Sequence, residues 1–149
     1  MGGLGARGVP VVVHAGHAPV ATAHTGPEQF AALLSEHRRL TAIVAHLGAP
    51  DYEPFLDLAE TYERMALDTT MAFTPFFERL TPFPDRALPR LQALGLAGKV
   101  LLGSDFPNIP YPYAEQIAGL ARLGLDVPWL RAVCWENAAR MFGLSAASS

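Results

Sequence analysis

The chain has 149 residues, half of them hydrophobic and 17% charged, with a net charge of -3. That suits one globular domain with a core, is too short for two ordinary ones, and argues against disorder and, with no basic cluster, against nucleic acid as a partner. The single cysteine, Cys134, allows no internal disulfide, and no apolar run reaches the about 18–20 residues that span a bilayer. Cys134 lies in an apolar helical stretch and reads as a small core hydrophobe rather than a nucleophile. The first ten residues make a poor signal peptide, so a soluble, cytoplasmic protein that does not touch membranes is expected.

In chain order, residues 1–8 are Gly-rich and read as a frayed lead-in. Val9 to Val13 is a continuous apolar run, suited to a strand covered on both faces, with Pro10 tolerable at its start. It ends in His14-Ala15-Gly16-His17, and a loop runs on to Thr25. Gly26-Pro27-Glu28 opens a helix whose inward face is Phe30, Leu33, Leu34 and His37. Thr41 to Ala45 is a second strand, ending in His46-Leu47-Gly48. Ala49-Pro50-Asp51 starts the next helix, which turns Phe55, Leu58, Ala59 and Tyr62 inward and runs to about Arg64. Met65 to Leu67 is a third strand, ending in Asp68-Thr69-Thr70.

Residues 71–84 carry too many prolines and phenylalanines for one regular helix. They are expected to be irregular, either a pocket wall or lid or a loop packed on the rim. Asp85 to Gly95 is a helix with Leu88, Leu91 and Leu94 inward. Val100 to Gly103 is a fourth strand, followed by Ser104-Asp105-Phe106-Pro107 and a proline-rich loop to Tyr113. Ala114 to Leu123 is a helix stopped by Gly124, and Asp126 caps a last helix. The Ala/Ser tail, residues 145–149, is expected to be disordered. The whole is one domain over residues 1–149, of strand and helix alternating four times plus a C-terminal helix.

The four strand-like runs end in His14, His46, Asp68 and Asp105. A lone Asp at a strand end is as readily a turn former as a functional group. Repetition of the position is what a parallel α/β fold does when it builds a site at the carboxyl ends of its strands. Two imidazoles and a carboxylate, His14, His46 and Asp105, form a set suited to a divalent metal, Zn²⁺ above others, with a position left open for water. Such water becomes a nucleophile near neutral pH, or a histidine takes its proton as general base. Asp68 is a weaker member, since it also suits holding its loop through backbone hydrogen bonds. His17 and His24 lie in a loop and suit solvation, with His17 also a candidate for substrate contact; His37 reads as structural. Phe73, Phe76, Phe77 and Tyr111 are candidate pocket walls. Glu136-Asn137 reads as surface or a helix-packing pair.

Val-Val-Val-His14-Ala-Gly, Ile-Val-Ala-His46-Leu-Gly, Leu-Asp68-Thr-Thr, Leu-Leu-Gly-Ser-Asp105-Phe-Pro and Glu-Asn137-Ala-Ala-Arg-Met-Phe-Gly-Leu resemble, in that order, the later segments of the amidohydrolase-related TIM-barrel family. The resemblance runs from about Val9 to Leu144. It implies metal-dependent hydrolysis of a small carbonyl substrate (amide, lactone or ester), with decarboxylase-like and metal-free lactonase members as the nearest variants. It implies that His14 is a metal ligand on the fifth barrel strand, His46 a ligand or water-activating group on the sixth, and Asp105 a ligand and proton shuttle on the eighth. The role of the position matched by Asp68 varies in the family, so none is carried over.

The family's first-strand His-x-His is absent, and a whole (β/α)₈ barrel needs about 200–250 residues. The expected fold is therefore a parallel (βα)₄ half of a TIM barrel plus a C-terminal helix, in a truncated chain. Such a half should leave the His14 and Asp105 strands as open edges and bare the barrel's interior side chains. A second copy of the chain, or the N-terminal half-barrel, would then cover them, and a catalytically incomplete association module is the alternative to an enzyme.

Overall fold

Four short parallel strands carry everything else: β1 (Val11–Val13), β2 (Ala42–Val44), β3 (Met65–Asp68) and β4 (Val100–Leu101). They lie side by side in chain order, with Val12 opposite Ile43, Ile43 opposite Ala66, and Leu67 opposite Val100. The computed structural model describes residues 8–144; all but Gly8 of the expected frayed lead-in, and the expected disordered tail, lie outside the described residues. Helices α1 (Pro27–Glu36), α2 (Tyr52–Thr61) and α4 (Leu88–Leu96) follow the first three strands, and α5 (Ala114–Arg122) follows the fourth. This is an α/β half-barrel, as expected.

Side chains alternate across a strand, so each strand splits its apolar residues between two faces. Ala42, Val44, Met65, Leu67 and Val100 face the helices and share the main core with Phe30, Leu34, Phe55, Leu56 and Leu91. Burying each large side chain of this set contributes about 1.5–3 kcal/mol. Ile43, Ala66 and Leu101 face the other way, toward what would be a barrel interior.

That second face is not bare, and here the expectation is corrected. Ala138 and Met141 pack on it, leaving Ile43, Ala66 and Leu101 at most 4% exposed. They come from the last helical segment, built as α6 (Val127–Arg131), one π turn (Ala132–Glu136) and α7 (Asn137–Met141). Asp126 starts it by accepting the Trp129 N–H at 2.9 Å. In the π turn the Asn137 N–H reaches back to the Ala132 carbonyl, which releases the Val133 carbonyl from the helix. That carbonyl accepts the outward N–H of Leu102 at 2.9 Å. The Asn137 amide donates to the carbonyls of Val100 and Gly95, both at 2.8 Å. The expected open edge at β4 is thereby closed by the chain's own helix.

Among the described residues the β1 edge remains open. Val11 spends its N–H on Thr41 of the neighbouring strand, so Val12 points its backbone groups outward, and Val12 is 61% exposed. The strand expected to be covered on both faces is covered on one. It also begins at Val11 rather than Val9, after Pro10, which has no N–H for a ladder. Leu33 and His37, expected inward on α1, are exposed, because no element lies beyond α1 on this side among the described residues. The expected irregular stretch holds one short helix, α3 (Pro75–Glu78), capped by Thr74. Among the described residues no helix is long and apolar enough to cross a membrane.

Candidate active site

Five residues other than glycine have left-handed backbone among the described residues: His46 (φ 57°), Leu47 (54°), Met71 (59°), Phe73 (66°) and Asp105 (56°). All five sit just past the ends of β2, β3 and β4. Each such residue costs on the order of 1–3 kcal/mol, and strain of this kind persists where its surroundings hold it. The strain is confined to the end of the sheet where the sequence ends its strands in polar residues.

His46 is the best-held side chain there. Its backbone N–H donates to Asp68 Oδ1 at 3.2 Å, and the Thr70 N–H donates to the same oxygen at 2.9 Å. Its ring Nδ1 lies 3.0 Å from the Thr70 carbonyl oxygen. A carbonyl only accepts, so Nδ1 carries a proton, and in the tautomer that this bond selects Nε2 is the base. Nε2 faces Asp105 Oδ2 at 3.8 Å, too far for a direct hydrogen bond and within reach of a bridging water. The ring stacks on Phe77 (5.7 Å, 21°) and meets the edge of His14 (5.0 Å, 64°). His46 is buried while the Asp105 side chain is 46% exposed, so base and carboxylate meet at the mouth of the site.

Gly103 makes this meeting possible. A Cβ there would collide with Thr70 Oγ1 and the Asp68 carboxyl, so only glycine lets the end of β4 run against the Asp68 loop and carry Asp105 over His46.

His14, His17, His46 and Asp105 line one cleft of about 610 Å³ with Phe76 and Phe77. The three residues expected to share a site are together, but not as a ligand shell. His14 turns its Nε2 onto the Ala18 carbonyl. Among the described residues no group of three or more His, Cys, Asp or Glu side chains is placed to hold a metal ion. As they stand, these residues do not fit a three-ligand metal: the donor types are right, and only His46 Nε2 and Asp105 Oδ2 face each other.

Residues 4–144 match the family described as amidohydrolase. The chain belongs to the amidohydrolase family. No curated protein matches it. Among solved structures, an uncharacterised TIM-barrel protein of Bordetella bronchiseptica superposes with a TM-score of 0.72 at 19% identity, over 94% of this chain and 47% of that one. A probable 2-pyrone-4,6-dicarboxylic acid hydrolase of Acinetobacter baumannii gives 0.62 at 19% identity, over 93% and 54%. A dihydroorotase of Campylobacter jejuni gives 0.66 at 16% identity, over 97% and 50%. At these identities the likeness is one of fold. The chain spans about half the length of the solved structures it matches.

The other residues singled out in the sequence have these places. Asp68 is buried, and one of its carboxylate oxygens accepts two backbone N–H groups; it organises the loop, the alternative weighed for it. His17 sits on the rim, where one oxygen of Asp51 takes both its ring Nδ1 (2.8 Å) and its backbone N–H (3.0 Å). Phe76 lines the cleft. Phe73 does not: its left-handed backbone turns the ring into the core against Phe83 at 5.3 Å, which corrects its place as a pocket wall. Tyr111 stands behind Phe76 at 6.1 Å, and burial pushes its phenol above the usual range. His24 and His37 are exposed. Asn137 is the helix-packing polar group rather than a surface one, and Cys134 is half-buried, its thiol pushed up by burial.

Phe77, weighed as a pocket wall, lines the cleft; sequence reading missed Asp51 as the partner of His17, and Gln116. For Gln116 a signal existed. It lies on the same α5 stripe as buried Leu120, and a polar residue on a buried stripe needs partners.

Proposed function

We propose that the chain carries the later half of an amidohydrolase site that hydrolyses a small carbonyl compound: an amide, lactone or ester. The observation that supports this is His46, held by the Thr70 carbonyl at Nδ1, turning Nε2 to the Asp105 carboxylate across 3.8 Å at the mouth of the cleft. A water between them donates one proton to His46 Nε2 as its oxygen attacks the carbonyl carbon. The carbon–oxygen or carbon–nitrogen bond then breaks, and the proton held on His46 passes to the leaving group. Asp105 orients the water and steadies the imidazolium. The resemblance assigns a divalent ion, zinc above others, to His14, His46 and Asp105; bound there, it would polarise the carbonyl and acidify water.

The cleft wall is mainly aromatic and aliphatic and includes no Lys or Arg, which favours a substrate without charge on this side. The 2-pyrone-4,6-dicarboxylic acid named for one structural neighbour is a lactone, which supports a lactone as the scissile group, though that compound also carries two carboxylates. The test is hydrolysis of neutral lactones and amides by the purified chain. His46→Gln and Asp105→Asn should each lower kcat about a hundredfold or more. Undiminished hydrolysis in either variant, or none by the parent chain, would overturn the reading.

A second reading, as an association module, rests on the open β1 edge. A further strand there, from a second copy or from an N-terminal half-barrel, would pair with Val12. Light scattering on the purified chain decides whether a second copy does so.

A further inference from the structure

Gln116 is fully buried on α5, and it uses every hydrogen-bonding position of its amide. Nε2 donates to the carbonyls of Thr69 (2.7 Å) and Ala72 (3.3 Å). Oε1 accepts the Met71 N–H at 3.0 Å and the Tyr111 hydroxyl at 3.4 Å. One turn on, Gly119 leaves room for the Phe73 carbonyl, and Arg122 donates to that carbonyl at 2.8 Å. These positions, three apart, put one face of α5 against the two left-handed residues of the loop, Met71 and Phe73.

The Met71 N–H and the Thr70 C=O belong to the same peptide group. Gln116 Oε1 takes its N–H, and its carbonyl takes the Nδ1–H of His46. Side chain, peptide and imidazole thus form one chain of donors and acceptors pointing the same way. In a buried site each bond in such a chain polarises the next. Turning the peptide over would put an N–H against His46 Nδ1 and favour the opposite tautomer.

We infer that Gln116 is a positioning residue that sets the tautomer of His46 through the 70–71 peptide. It touches neither substrate nor the reacting atoms. Its importance for hydrolysis rests on the reading of His46 as the base; its effect on the tautomer does not.

Nitrogen-15 NMR of the imidazole rings reads the tautomer directly, without substrate or metal, with His17, His24 and His37 as internal references. In the parent chain His46 should be protonated on Nδ1. In Gln116→Ala the ratio of the Nδ1–H to the Nε2–H form should fall about fivefold or more, the equivalent of one lost hydrogen bond, with the reference rings unmoved. Gln116→Met keeps the volume and should behave like the alanine variant if that one fails to fold. Gln116→Glu should restore the parent ratio, since a buried carboxyl group stays protonated, donates to Thr69 and still accepts from Met71. An unchanged His46 ratio in a folded Gln116→Ala or Gln116→Met would overturn the inference, as would loss of fold in both, which would make the amide purely structural. A shifted ratio in a chain that hydrolyses nothing would leave the inference standing and remove the proposed function instead.

Discussion

The carbonyl of Val133 accepts the N–H of Leu102 at 2.9 Å, and with that bond the β4 edge of the sheet is no longer free. The π turn supplies the carbonyl, and Asn137 covers the next outward group, the carbonyl of Val100. A second copy that closed a barrel through β4 would have to displace this helix first. Among the described residues no such obstacle covers β1.

Asn137 should therefore carry much of the stability of the C-terminal helix. Its Oδ1 has no partner among the described residues, so the side chain is held there by its two donated bonds. Asn137→Ala leaves the Val100 carbonyl unpaired, at about 1–3 kcal/mol, and takes one bond from the Gly95 carbonyl, which keeps the Gly98 N–H at 3.2 Å, at about 0.5–1.5 kcal/mol. Urea unfolding should show a loss of about 2–4 kcal/mol; a loss under about 0.5 kcal/mol would mean the helix does not seal the edge.

Asp68 should behave as a loop organiser. Asp68→Ala removes the acceptor of the His46 and Thr70 N–H groups and should cost about 3 kcal/mol. Asp68→Asn keeps an oxygen in place and should cost about 1 kcal/mol. Equal losses in thermal or urea unfolding would show that the charge, not the acceptor, matters.

Val12→Lys places a charge on the exposed edge strand, a substitution that discourages strand pairing. If the parent chain associates in solution, this variant should shift it to monomer in light scattering, with helix and strand content unchanged in circular dichroism. Association that survives the change does not use β1.

Arg90 ties α4 to α2. It donates to both oxygens of Glu60 (2.8 and 2.9 Å) and to Asp57 (2.5 Å). These groups are partly exposed, so Arg90→Ala should cost no more than about 1 kcal/mol, and less in high salt. The Arg90 hydrogen bonds hold the Glu60 carboxyl below its ordinary 4.5. A depressed carboxyl stabilises above its unfolded value and loses that contribution as pH falls through its folded one. The gap in stability between parent and Arg90→Ala should be full at pH 7 and narrow below pH 4.5. A gap that widens in acid would contradict the pairing.

The strand ends were legible because an apolar run that stops at a polar residue needs no knowledge of its neighbours. His14, His46, Asp68 and Asp105 all fall at one end of the sheet for that reason. How each side chain is used was not legible. His14 turns its Nε2 onto a backbone carbonyl, and Phe73 turns inward, because local backbone dihedrals aim a side chain and the one-dimensional pattern does not carry them.

The sequence by itself determined the alternation of strand and helix, the parallel half-barrel it implies, and the family, since hydrophobic period and short motifs are local properties of the chain. Only the tertiary structure decided that the terminal helix closes β4 and that Gln116 faces His46 across a single peptide. Both depend on backbone groups left over once the local elements have formed, and those groups find partners only when distant segments meet.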